Sequence, residues 1–175
     1  MARKFNTVGG GANTNRNGLL FERETSLRDA FIDHADYEVR DNAVLDKITI
    51  EVVGELYPNY TAFYGNLIAA RGVDYTTILS KQLRPDDAIL VDDTVYIIEK
   101  KSQAGAGSVD EKLQTCHFKK QQYTRLLAPL NLKVEYFYLL SPWFEAESYR
   151  DVKEYIRAVD CDYFFGSIPL ERLGL

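Results

Sequence analysis

The residues that could do chemistry gather in one stretch, running from Arg84 through Pro85, Asp86 and Asp87 to Glu99, Lys100 and Lys101. Between these ends lie two short apolar, β-branched runs, Ala88 to Val91 and Thr94 to Ile98, separated by Asp92 and Asp93. Such runs around a pair of turn residues predict a β-hairpin. A two-residue turn pairs Val91 with Thr94, and counting outward sets Asp86 opposite Glu99. Side chains alternate faces along a strand, so Lys101 shares the face of Asp86 and Glu99. Lys100 and Asp87 fall on the other face, and a slip of one residue would exchange the two aspartates. Opposed carboxylates repel, and a cation between them is the best remedy. Hard oxygen ligands at a hairpin end suit Mg²⁺. A lysine beside them can orient or deprotonate a water, or stabilise charge developing on a phosphate. The competing reading is a solvated hairpin end that happens to be charged.

Pro85-Asp86, a hairpin, and Glu99-Lys100-Lys101 at the end of its second strand resemble the PD-(D/E)XK nuclease superfamily. The resemblance runs from about Asn17 to Phe165, and the compact chain is most similar to a type II restriction endonuclease. It implies an α/β, single-domain, restriction-endonuclease-like fold with a central mixed sheet flanked by helices. It also implies Mg²⁺-dependent hydrolysis of double-stranded DNA at a specific site, with Mn²⁺ as a substitute and Ca²⁺ supporting binding only. Asp86 and Glu99 would bind metal, with the backbone carbonyl of Lys100 as a further ligand. Lys101 would position or activate the attacking water. Glu22 matches the acid that many restriction endonucleases carry on their first helix, although an ordinary solvated stripe would look the same. The implied partners are a second copy of the chain, forming a homodimer on a palindromic site, and a cognate DNA methyltransferase.

Two other functions remain open on the sequence. Exonuclease members of the superfamily share a Gln-x-x-x-Tyr helix motif; if Tyr123 were its tyrosine, the glutamine would fall where Lys119 stands. That departure disfavours an exonuclease, while a repair or resolvase enzyme stays possible. A non-catalytic DNA-binding relative is the third reading, disfavoured by the intact Asp86, Glu99 and Lys101.

The bulk numbers narrow the field. With 175 residues, 46% of them hydrophobic and 27% charged, the chain can build one domain with a sizeable core. A net charge of −5 is awkward for a DNA binder, so basic residues must be clustered locally. Two cysteines, Cys116 and Cys161, predict free thiols in a reducing compartment, and hence a cytoplasmic protein. His34 and His117 are isolated, which leaves nothing for a zinc or HNH-type centre. No apolar run reaches transmembrane length and no signal-peptide core precedes the domain, so no membrane role is expected.

The elements that must position these residues follow from periodicity. Residues 1–18 are rich in Gly and Asn and read as an arm, with Arg16 and Asn17 as candidate DNA contacts. Asn17 caps a predicted helix to about Asp33, with Leu20, Leu27 and Phe31 on its apolar face and Arg23 inside it. Tyr37 to Arg40 is a predicted strand, and Lys47 to Val53 alternates as a half-buried strand. Pro58 opens a helix ended by Gly72, and Asp74 caps a shorter one to about Gln82.

Beyond Lys101, residues 102–108 form a loop in which Ser102 and Gln103 are candidate DNA contacts. The Gln103 amide suits a bidentate contact to adenine. Ser108 to Glu111 is a capping box opening a helix to about Leu127. Lys112 and Lys119 lie together along one edge of that helix, either solvated or touching phosphate, and Phe118 projects from its opposite side. Lys133 to Leu140 is a central strand, parallel to the one ending at Lys101 because a helix connects them. Ser148 to Val159 is a helix, and Cys161 to Ile168 a last strand.

Overall fold

The computed structural model describes residue 21 and residues 25–32, 34–103 and 109–175. These residues form an α/β domain around a seven-stranded mixed sheet in which every strand neighbours the next in sequence. The strands are β1 (Tyr37–Arg40), β2 (Ala43–Asp46), β3 (Val52–Tyr57), β4 (Asp87–Val91), β5 (Thr94–Lys101), β6 (Lys133–Leu140) and β7 (Asp162–Phe165). The first five pair antiparallel, whereas β5–β6 and β6–β7 are parallel. Both parallel pairs are bridged by helical crossovers, the only economical way to return a chain in the same direction.

One face of the sheet carries the larger core. Ala88, Leu90, Val95, Ile97, Tyr136 and Tyr138 pack there against α4 (Cys116–Leu127) and α5 (Arg150–Ala158). The same core takes in Phe63, Tyr64, Leu67 and Ile68, from a π-helical segment that follows a short α turn, α2 (Tyr60–Ala62). Gly72, at φ 78°, ends that helical run as its left-handed cap. On the opposite face, Ile89, Val91, Ile98, Phe137 and Leu139 pack on Leu27 and Phe31 of α1 (Leu27–Ile32) and on Ile168 and Leu173. Strands buried on both faces explain why β4 and β6 read as near-continuous apolar runs.

Several sequence expectations need correction. The expected strand from Lys47 to Val53 is a turn over most of its length. Asp46 accepts hydrogen bonds from the backbone of Ile48 and Thr49, both at 2.8 Å, and Ile50 takes φ 61°. The alternation there is coincidental, and Ile48 is 86% exposed. Pairing starts at Val52 and reaches Tyr57, while β2 was not anticipated. The expected helix from Ser108 to Leu127 is broken in two, α3 (Val109–Leu113) and α4. The Lys112 carbonyl accepts from the Thr115 hydroxyl at 2.8 Å and from the Tyr138 hydroxyl at 3.0 Å. These bonds compete with the helical one that carbonyl would otherwise take from Cys116.

After Asp74 only one 3₁₀ turn forms, Tyr75–Thr77, capped by the aspartate as expected. The first helix is likewise interrupted at Thr25 and Ser26, before α1 begins. The last strand stops at Phe165, before Gly166 at φ 73°. No helix among the described residues is long and apolar enough to cross a membrane.

Burial separates what should matter to stability from what should not. Ile97, fully buried, should cost about 2–5 kcal/mol on truncation to Ala. Ile48→Ser, at the turn, should stay within about 0.5 kcal/mol of the parent. Urea unfolding of the two variants checks both, and a large loss in Ile48→Ser would contradict the turn.

Candidate active site

The hairpin has the register that turn spacing predicts. Val91 faces Thr94 and Asp87 faces Ile98, so one further step sets Asp86 against Glu99. The Lys100 backbone N–H donates to Asp86 Oδ2 at 2.7 Å and holds that carboxylate at the strand end. Glu99 and Lys101 point to the face packed by α4. Asp87 and Lys100 point to the face packed by α1.

On the α4 face, Glu99 lies between two ammonium groups. Lys101 Nζ reaches Glu99 Oε2 at 2.9 Å, and Lys119 Nζ, from α4, reaches Oε1 at 2.9 Å. Lys101 Nζ also donates to the Lys100 carbonyl at 2.9 Å and stands 3.7 Å from Asp86 Oδ2. Glu99 is nearly buried, with only 5% of its side chain exposed, whereas Asp86 keeps 31%. Burial opposes ionisation of both, and the outcome differs. Burial wins at Asp86, helped by the Glu99 charge, and raises its pKa despite Lys101. At Glu99 the two lysines outweigh burial and hold the carboxyl below its ordinary range.

The floor of this site is aromatic. Tyr123 and Tyr136 are fully buried, and the Tyr123 hydroxyl has no hydrogen-bond partner among the described residues. Burial, reinforced by Glu99, raises both phenols, so they stay neutral. A floor of this kind keeps water away from one side of the charges and strengthens their interactions.

The other face holds a separate pair. Lys100 Nζ meets Asp87 Oδ2 at 2.6 Å, with 5% and 7% of the side chains exposed. The Leu27 N–H of α1 approaches the same oxygen at 3.5 Å. Burial raises the Asp87 carboxyl although Lys100 opposes it. This pair ties α1 to the hairpin.

The remaining sequence candidates divide. Lys119 belongs to the carboxylate cluster, whereas Lys112 is exposed. The break between α3 and α4 separates their roles. Ser102 is half-buried, and Gln103 is buried, with its backbone N–H 3.3 Å from Ser141 Oγ and its side-chain amide nitrogen unpartnered among the described residues. In this conformation Gln103 therefore does not present its amide to solvent. Arg16, Asn17, Glu22, Arg23 and residues 104–108 lie outside the described residues. Phe118 is 61% exposed, Cys116 and Cys161 are buried free thiols, and the histidines stand apart from the site. Arg84 and Tyr60, stacked beside Asp86 at the sheet end, were not anticipated.

Among the described residues no group of three or more His, Cys, Asp and Glu side chains converges. The oxygens of Glu99, Asp86 and the Lys100 carbonyl nevertheless meet at one point, which the Lys101 ammonium holds. An all-oxygen set that already embraces a cation fits Mg²⁺, which retains several waters and needs few protein ligands.

Searches of protein-family models, of curated proteins and of solved structures each found no match.

The two carboxyls should respond oppositely to neutralisation in metal-free protein. With its pKa raised, Asp86 lowers stability as pH climbs from the ordinary aspartate value through the raised one. Asp86→Asn removes that loss and should melt no lower than the parent at pH 7. Glu99, with its pKa lowered, contributes stability above the ordinary glutamate range and loses it as pH falls through the lowered value. Glu99→Gln should therefore cost about 1.5–3 kcal/mol at pH 7, typical of charge-assisted hydrogen bonds, and progressively less in acid. Melting curves in EDTA from pH 3 to pH 8 give the comparison; equal losses in both variants would count against it.

Proposed function

We propose that the protein is a Mg²⁺-dependent endonuclease of the PD-(D/E)XK type that cuts double-stranded DNA as a type II restriction enzyme. The observation that supports this most is the meeting of Glu99 Oε2, the Lys100 carbonyl oxygen and Asp86 Oδ2 around Lys101 Nζ. The element order agrees with the restriction-endonuclease fold: a first helix, antiparallel strands ending in the hairpin, then two helical crossovers to parallel strands.

In this reading Asp86, Glu99 and the Lys100 carbonyl would hold the metal, with Glu22, outside the described residues, as the further acid that the resemblance implies. Bound there, Mg²⁺, or Mn²⁺ in its place, would supply Lewis-acid polarisation of the phosphoryl group and charge stabilisation at the leaving 3′ oxygen. Lys101 would give up its place among the oxygens and, as an ammonium, donate a hydrogen bond that orients the attacking water; as the neutral amine it would instead take that water's proton. Lys119 keeps Glu99 ionised, and its ammonium lies where it can turn to a phosphate. Lys112, exposed on α3, adds a backbone contact. A homodimer would bring two such sites to the two strands of a palindromic sequence. A cognate methyltransferase would protect that sequence, and the reaction belongs in the cytoplasm.

Plasmid incubated with purified protein and Mg²⁺ tests the reading. Discrete bands are expected; ladders or smears would point to a repair or exonuclease activity, and intact plasmid to a non-catalytic binding protein. Asp86→Asn, Glu99→Gln and Lys101→Ala should each slow cleavage at least about a hundredfold. Calorimetry with Mn²⁺ should show binding weakened in the two carboxylate variants and retained in Lys101→Ala. Asp87→Asn should act through the fold instead, lowering stability by removing the carboxylate that the buried Lys100 ammonium meets at 2.6 Å. Full stability with selective loss of cleavage in Asp87→Asn would transfer the metal role to that residue.

A further inference from the structure

Beside the carboxylates a cleft of about 650 Å³ opens at the sheet end, lined by Arg28, Asn59, Tyr60, Arg84, Asp86 and Lys100 among others. Its cations are differently committed. Lys100 is tied to Asp87, and Arg28 bonds the Asp41 carbonyl and, at 3.1 Å, Asn42 Oδ1. Arg84 is exposed and meets no carboxylate among the described residues. Its guanidinium carbon lies 4.6 Å from the centre of the Tyr60 ring. Stacking of this kind restrains the planar fork and leaves its N–H edges available for a phosphate.

Asn59 stands next to the ring and uses its side-chain oxygen to accept from the Ala62 N–H at 2.9 Å. Its two amide hydrogens meet no acceptor among the described residues and remain as donors. Arg84 is two residues before Asp86, so the fork belongs to the backbone that carries the carboxylate. A cleft lined together by a restrained guanidinium, an amide with unused donors among the described residues and the Asp86 carboxylate has the layout of a strand track.

We propose that this cleft takes the sugar-phosphate backbone of duplex DNA, with Arg84, stacked on Tyr60 and assisted by the Asn59 amide, gripping a phosphate that flanks the one presented to Asp86. The assignment rests on the nuclease reading and adds to it the path of the substrate strand. Arg84 reads no sequence, because the group it holds is common to every nucleotide.

The test is fluorescence anisotropy of labelled duplexes, of several sequences, titrated with the full chain in Ca²⁺ over a salt series. Arg84→Gln should weaken every duplex several-fold and make the log–log salt slope shallower by about one unit. Arg84→Lys should keep the slope and lose part of the affinity, since the charge stays and the planar fork goes. Tyr60→Leu should behave like Arg84→Lys if the ring positions the fork. Unchanged affinity and slope in Arg84→Gln, with cleavage intact, would overturn the strand contact and leave the nuclease reading standing. Binding with the expected slope change, but no cleavage by the parent under Mg²⁺, would keep the contact and remove the nuclease reading. A parent protein that binds no duplex would overturn both.

Discussion

Glu99 is held between the ammonium groups of Lys101 and Lys119, and much of the sheet end is arranged to make that possible. A carboxylate with so little exposure, left without partners, would cost several kcal/mol, so the cations are a condition of placing it there. One lysine comes from the same strand, two residues on. The other comes from α4, across the crossover. Its approach depends on the break before Cys116, where the Thr115 and Tyr138 hydroxyls both close on the Lys112 carbonyl. Tyr138 is the β6 residue in register with Glu99, so the strand beside the carboxylate also fixes where α3 stops. Charge placement and helix geometry are thus a single problem with one solution.

The alternation of a strand then sorts the charges of the hairpin. Asp86, Glu99 and Lys101 go to the face of α4, while Asp87 and Lys100 go to the face of α1 and neutralise each other. The sorting leaves Asp86 as the less compensated carboxylate. It is the more exposed of the two, and the one at which burial outweighs the neighbouring lysine and raises the pKa. Glu99 is secured by the protein itself, whereas Asp86 still gains from an added cation. The asymmetry gives a buried anchor beside an accessible arm, with the Lys101 ammonium bridging them.

This much was legible in the sequence because it depends on local rules. A two-residue turn and the period of two place Asp86, Asp87, Glu99, Lys100 and Lys101 on their correct faces without any knowledge of the rest of the chain. The parallel pairing of β5 with β6 follows equally from the helix between them. What was not legible depended on competition between local signals. Lys47 to Val53 alternates like a strand, yet Asp46 bonds the backbone of Ile48 and Thr49 and bends the chain before pairing can begin. The run around Cys116 has helical periodicity throughout, and only a hydroxyl from a distant strand reveals the break. Gln103 looked like a solvent-facing loop residue because its neighbours are small, yet it is buried, and its backbone N–H meets the hydroxyl of Ser141, thirty-eight positions away. Arg84 and Tyr60 carry no signal that links them, since twenty-four positions of sequence separate two residues that stack.

The net charge of −5 is the sequence feature that argues most directly against a polyanionic ligand, and the structure changes its meaning. Charge sums treat every residue alike, whereas many cations here are already bound. Lys133 is paired with Asp93, Arg150 with Glu147 and Asp151, and Arg157 and Arg172 share Asp162. Such pairs lie on the surface away from the hairpin end and contribute little field there once screened. Within the cluster itself, two carboxylates face two ammonium groups, so the candidate site does not present a bare negative charge. Among the described residues, the cations that meet no carboxylate include Arg84, adjoining Asp86, and Lys112, exposed on α3. Positive charge that can still act therefore stands beside Asp86. A chain that is acidic in sum is, at this one edge, balanced in its centre and basic where Arg84 adjoins it.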